Sequence, residues 1–291
     1  GTFEFLAARG ERDAIAQLID AVIDRLYPDA AQRDAPVMAL FEMIAAAQAK
    51  LVAQWMALGF VHGVMNTDNT ALSGQTIDYG PCAFLDEFHR DKVFSSIDRY
   101  GRYAYSQQPL IATWNLSRLG GCLMLVHDDQ AGYESVLENF ESVYLQHYHQ
   151  QMAAKLGLDA LDADDIAWLD EWLDHLQTTQ SDYTIRFREF AGLVESPAPT
   201  DPLLTRWHQR VLRDGRSATD VACLLRARNP AVIPRNHQIQ RAIVAADEGD
   251  FSLFHTLREV FGQPFDLTPE HAEFALPPTP EQRVTKTFCG T

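Results

Sequence analysis

What most limits the fold open to this chain is a helical repeat of apolar residues along most of its length, with very little strand pattern beside it. Apolar side chains fall at Ile15, Leu18, Ile19, Val22, Ile23 and Leu26, the i, i+3, i+4, i+7 spacing that makes one stripe on an α-helix. Pro28 closes that segment. A longer stripe of Val37, Leu40, Phe41, Ile44, Leu51, Trp55 and Met56 predicts a helix that runs out at Gly59 and delivers the chain to His62. Further helices are expected over 110–126, 132–156, 164–177, 203–213, 219–228, 238–248 and 251–261. Residues 70–77 alone suggest strand, as a small hairpin around Ser73-Gly74. Residues 84–108 have no clear period, and a connection that long in a compact protein is more often functional than idle. The expected fold is therefore mainly α.

The 291 residues, 46% of them hydrophobic, suffice for a substantial core. Net charge is −16, from 24 Lys and Arg against 40 Asp and Glu, with no basic block. Nucleic-acid binding needs clustered cations to neutralise phosphate, so that role is not expected. The longest apolar stretch, residues 35–60, is interrupted by Glu42, Gln48, Lys50 and Gln54, so no membrane partner is expected either. Cys82, Cys122, Cys223 and Cys289 lack zinc-type spacing, and a reducing cytoplasm is the default for such a pattern. No secretory signal is present, and the chain opens on Gly1 rather than Met, so it reads as a piece of something longer.

The chemistry concentrates in HGVMNTDNTALSGQTIDYG, residues 62–80. A kinase-like catalytic loop opens His-Gly-Asp or His-Arg-Asp, reaches an Asn five positions after that Asp, and is followed by Asp-x-Gly. His62, Gly63, Asn69, Asp78 and Gly80 follow this scheme, but Val64 stands where the catalytic Asp belongs. Asn69 and Asp78 offer the hard oxygen ligands that Mg²⁺ or Mn²⁺ takes while bridging nucleotide phosphates. Gly80 is expected to let the backbone turn sharply after the metal ligand. Asp68, beside Asn69, is the candidate general base in place of the lost carboxylate. His62 is expected to support the loop rather than to move protons. In NPAVIPRNH, residues 229–237, Asn236 suits a helix N-cap, and Arg235 and His237 are read as structural.

HGVMNTDN followed by TIDYGPCAFLDEF resembles the selenoprotein O family, kinase-fold proteins that lack the usual catalytic Asp. GTFEFLAARG, GRYAYSQQP, SDYTIRFR, NPAVIPRNH and the terminal FCGT agree, so the likeness spans nearly the whole chain. It implies the C-terminal lobe of a protein-kinase-like fold over residues 1–195, with a small β-hairpin at the active site. A helical C-terminal extension over 196–291 would follow, after the linker-like ESPAPTDP.

The resemblance also implies a protein adenylyltransferase: ATP, bound in a flipped orientation, gives AMP to Ser, Thr or Tyr hydroxyls of protein substrates. Asp68 would accept the proton, Asn69 and Asp78 would hold Mg²⁺ or Mn²⁺, and Asp78 would lie close to the nucleotide phosphates. The family's glycine-rich loop, nucleotide-clamping Lys and phosphate-binding Arg residues have no counterpart here ahead of residue 62, so the chain alone is expected to turn over little. A cysteine or selenocysteine third from the end is a further trait of the family, which implies redox control through Cys289, with Cys82 as the attractive disulfide partner. Phosphoryl transfer and a catalytically silent scaffold are the alternatives; Val64 speaks against the first, and the retained Asn69 and Asp78 against the second.

Overall fold

A computed structural model of the chain describes residues 1–288, Asp214 by its backbone alone. Helices α1 (Thr2–Ala8), α2 (Arg12–Leu26) and α3 (Pro36–Leu58) lead into strand β1 (Phe60–Val61). Strand β2 (Ala83–Phe84) and helices α4 (Gln108–Leu123), α5 (Gln130–Lys155), α6 (Ala163–Thr178) and α7 (Tyr183–Glu195) follow. The chain then forms α8 (Pro202–Val211), α9 (Ala218–Arg228), α10 (Asn236–Asp247) and α11 (Ser252–Gly262). The fold is mainly helical, with one two-stranded antiparallel sheet that pairs Phe60 with Phe84 and Val61 with Ala83.

Helix starts follow local chemistry. Asp129, Asp162, Asp182, Asp201 and Ser217 each cap the helix that follows by accepting a backbone N–H from its first turn. At Asp162 the arrangement is reciprocal, because Asp165 also accepts from the Asp162 N–H. Asn236 is not a cap. Arg235 occupies that position, in extended conformation, and Asn236 is the first helical residue. The Arg235 side chain is 1% exposed and is committed to Asp86 and Asp182. That buried triad ties the start of α10 to the start of α7 and supports the structural reading of this stretch.

Helix α3 is the centre of the molecule, packed along α5 and against α4. Leu40, Phe41, Ala49, Val52 and Ala53 on it are fully enclosed. It is the one helix, among the described residues, that is long and apolar enough in composition to cross a membrane; here neighbouring helices cover its apolar faces. One core cluster runs from Phe3 through α3, α5 and α7 to Leu225. A smaller one gathers Val232, Ala242, Leu257, Val260 and Phe274 around α10 and α11.

The expected hairpin over 70–77 shrinks to a single antiparallel bridge between Thr70 and Thr76. Its carbonyls are claimed by side chains instead: Gln48 Nε2 donates to Ala71 O at 2.7 Å, and the Tyr27 hydroxyl donates to Leu72 O. Helix α7 is the main element that the sequence reading lacked. It buries Tyr183, Thr184, Phe187, Phe190, Ala191 and Val194 along one side.

Gly59 ends α3 in the left-handed conformation, φ +72. A Cβ there would lie 2.9 Å from Tyr183 Cδ1, and the Tyr183 hydroxyl donates to Ala57 O. Gly59→Ala should therefore strain the backbone and push on a buried ring together, with an expected loss of about 1–3 kcal/mol. A denaturant midpoint equal to that of the unaltered protein would refute this.

Candidate active site

The loop 62–80 starts where α3 stops, so the helix end and β1 fix its position. His62 is fully buried. Its backbone N–H donates to Gln108 Oε1 at 2.9 Å, while Gln108 Nε2 donates to Phe60 O. The Val64 N–H points at His62 Nδ1, at 3.4 Å, which leaves the proton on Nε2 to donate to Ile77 O at 2.8 Å. Burial lowers the imidazole pKa below its ordinary value, against the opposing pull of the Ile77 carbonyl and the Asp78 charge. A neutral ring that bridges two arms of the loop is a support.

Gly63 takes φ +82, and a Cβ there would come within 3.0 Å of Pro81 O. Val64 is 6% exposed. Position 64 thus supplies packing and offers no proton acceptor. A 3-10 turn, Thr67–Asn69, follows. Asn69 Nδ2 donates to Val64 O at 3.0 Å, which turns Oδ1 away as a free acceptor. Asp68 on the same turn is exposed.

Asp78 adopts φ +52, a left-handed conformation that Asp and Asn tolerate better than other side chains. Its Oδ1 accepts the Gly80 N–H at 3.3 Å. The sharp turn is made at Asp78 itself and not at Gly80, which corrects the expectation: a carboxylate that accepts from the chain two residues on holds this turn locally. Asp78 directly follows the carbonyl that His62 holds, and Asn69 is tied to the carbonyl two residues past His62. Both candidate ligands therefore hang on the same buried imidazole segment.

The loop is fastened from outside by residues that the motif did not reveal. Asn115 Nδ2 donates to Met65 O at 3.1 Å and to Thr70 Oγ1 at 2.9 Å. The Tyr103 hydroxyl donates to Asn66 Oδ1, and Trp55 Nε1 donates to Thr76 Oγ1. A polar Asn115 beside Leu116 and near Ile111 on a core-facing helix surface is a signal that sequence could have offered; Gln108 carries none.

A cavity of about 540 Å³ opens beside the loop, lined by Asp68, Thr67, Thr70, Asn115 and Arg118 together with apolar residues of α1 and α3. Neither Asn69 nor Asp78 lines it. Among the described residues no three His, Cys, Asp or Glu side chains cluster as a metal site. The donor set is a free amide oxygen and one carboxylate with an uncommitted oxygen. It suits a hard cation such as Mg²⁺ that takes its remaining ligands from phosphate and water.

Cys82 is half-buried, and its thiol donates to Tyr79 O at 3.1 Å. Burial, with Asp78 adding to it, pushes the thiol up to about 11. Cys82, Cys122 and Cys223 are free, while Cys289 lies outside the described residues. Thr287 pairs with Ser95 and donates through its hydroxyl to Pro81 O.

Comparison with known proteins places this loop in company. The family model described as protein adenylyltransferase SelO matches residues 1–261. A protein nucleotidyltransferase YdiU of Rhodopseudomonas palustris is 46% identical over 310 residues, covering all of this chain and 63% of that protein. Proteins of the same name from Agrobacterium fabrum and Rhizobium meliloti are 44% and 42% identical, with the same coverage of 100% and 63%. The chain therefore spans a little under two thirds of the length of these relatives.

Proposed function

The chain belongs to the protein adenylyltransferase SelO family, and from that premise we propose that it carries the catalytic loop of an enzyme that moves AMP from ATP to Ser, Thr or Tyr hydroxyls of proteins. In this reading residues 1–195 form the C-terminal lobe of a protein-kinase-like fold, and residues 196–291 its helical extension. The observation that carries the proposal is the split of labour within residues 62–80. A buried Val64 takes the place of the usual base, a free Asn69 Oδ1 and an exposed Asp78 carboxylate remain for cation and phosphate, and Asp68 offers the one exposed carboxylate on the turn between them.

In the proposed reaction the acceptor oxygen attacks the α-phosphorus of ATP and the bond to the β-phosphate oxygen breaks. Pyrophosphate departs with that electron pair, and the hydroxyl proton passes to the Asp68 carboxylate. Asn69 and Asp78 would hold Mg²⁺ or Mn²⁺, which supplies neutralisation of the charge on the phosphates. His62 keeps the loop in register and stays neutral. The chain spans 63% of the length of its relatives and shows no glycine-rich phosphate loop ahead of residue 62, so the chain alone should turn over little.

Product identity tests the proposal. Intact-mass measurement of the chain in its full-length context, after incubation with ATP and Mg²⁺ or Mn²⁺, should show an AMP-sized gain on the protein or on added proteins, and Asp68→Ala should reduce it by about 10²-fold or more. A phosphate-sized gain would make the protein a kinase, and no gain at all would favour the scaffold.

A further inference from the structure

The outer face of α4 carries Leu110, Trp114 and Arg118 four residues apart, all exposed, a spacing that aligns side chains along one side of a helix. Arg102, from the irregular segment before α4, lies over the Trp114 ring with its guanidinium carbon 4.6 Å from the centroid. Arg118 lies over the same ring at 5.6 Å. The indole thus carries two guanidinium groups and still keeps 41% of its surface exposed. Among the described residues neither guanidinium donates a hydrogen bond, so their N–H groups are left for other partners. Among the described residues neither Arg102 nor Arg118 forms an ion pair, whereas Arg90, Arg206 and Arg226 each reach a carboxylate elsewhere on the surface. On a chain of net charge −16, two arginines without ion pairs around one indole are a local exception, even with Glu4 and Asp68 lining the neighbouring cavity.

The patch is also joined to the catalytic loop. Asn115, next to Trp114 but buried, holds Met65 and Thr70, and Tyr103, beside Arg102, holds Asn66. Arg118 and Asp68 line the same cavity. The turn that carries Arg102 is braced: the Asp98 carboxylate accepts backbone N–H groups from Tyr100, Arg102 and Tyr103.

The geometry points to a docking site for the acceptor protein, in which Arg102, Trp114 and Arg118 engage an acidic segment next to the hydroxyl that receives AMP. Carboxylates match the guanidinium edges in charge and planar geometry, and a neighbouring apolar side chain can rest on the open part of Trp114. Asp68, which lines the same cavity as Arg118, then meets the adjacent hydroxyl. Nucleotide phosphates are the other anions such an enzyme handles, but their expected place is beside Asn69 and Asp78, neither of which lines this cavity. The inference names an acceptor class for the transferase reading and rests on it for the purpose of docking.

Two labelled peptides test it by fluorescence anisotropy, with the chain in its full-length context and no nucleotide present. One has a Tyr flanked by Glu residues, and the other has Gln at each Glu. The Glu peptide should bind about tenfold more tightly at low ionic strength, and the preference should shrink as salt is added. In the double variant Arg102→Gln, Arg118→Gln the preference should fall to about twofold or less, with the thermal shift produced by ATP and Mg²⁺ unchanged. Equal binding of both peptides by the unaltered protein overturns the docking site. So does a double variant that loses its ATP-dependent shift, because the arginines would then be phosphate ligands. A protein that discriminates the peptides yet transfers no AMP keeps the docking site and removes the transferase reading instead.

Discussion

Replacing Lys155 by Met should make the protein more stable at pH 7, by about 2–4 kcal/mol. Lys155 sits at the end of α5 with 4% of its surface exposed. Its ammonium lies 4.5 Å from the Phe187 ring centroid and 5.4 Å from that of Tyr183, and among the described residues it forms no ion pair. Burial pushes its pKa down from the usual 10.5 to about 7, against whatever the two rings return through cation–π attraction. The sign follows from proton counts. Between pH 7 and 10.5 the unfolded chain holds a proton at this site that the folded chain has largely released, so stability should rise with pH across that window, by at most about 1.4 kcal/mol per pH unit. Below pH 7 both states are protonated and the full cost of the buried charge remains. Burial also raises the phenol pKa of Tyr105 and Tyr183 and the thiol pKa of Cys82 and Cys122, which removes stability as pH passes the ordinary thiol and phenol values, so urea melts between pH 7 and 8 isolate the lysine. Lys155→Met should flatten that slope and raise the midpoint at pH 7. An unchanged slope, or a variant less stable at pH 7, would show that the lysine has a partner or that its charge is not penalised.

In the proposed transferase, Asp78→Asn should abolish most AMP transfer, by about 10²-fold or more, while leaving the fold intact. Asn tolerates the left-handed conformation as well as Asp does, and its side-chain carbonyl can still accept the Gly80 N–H. The substitution therefore removes the negative charge and little else. Asp78→Ala also loses the turn-holding acceptor and strains the backbone by about 1 kcal/mol, so it mixes two effects. The measurement pairs AMP transfer with thermal melts in the full-length context. Melting should stay unchanged without ligand, and the stabilisation that ATP and Mg²⁺ give should disappear. Transfer within about threefold of the unaltered enzyme would take Asp78 out of the proposed ligand set.

Much of the architecture can be read in the amino-acid order, because helix formation here is governed by short-range spacing. The stripe from Ile15 to Leu26 and the long one ending at Gly59 become α2 and α3 with boundaries close to those expected. Where the reading failed, competing groups decided. The hairpin around Ser73-Gly74 gave way because Gln48 and Tyr27, both remote in the sequence, take its carbonyls. Asn236 does not cap α10 because buried Arg235, drawn to Asp86 and Asp182, fixes the residue before it.

The candidate site divides in the same way. The order His62, Asn69, Asp78 with Val64 in the place of the usual Asp stands in the sequence, since the proposed loop chemistry calls for those residue types at those offsets. That Val64 is buried, that Asp78 rather than Gly80 makes the turn, and that Asn115 and Tyr103 fasten the loop are matters of tertiary structure. So is the arrival of Arg102 over the Trp114 ring, which the four-residue spacing of Trp114 and Arg118 does not foretell. Short-range order sets which residues are available and which local shape they take. Packing between segments far apart in the chain sets which polar atoms are spent on the fold and which are left free for chemistry.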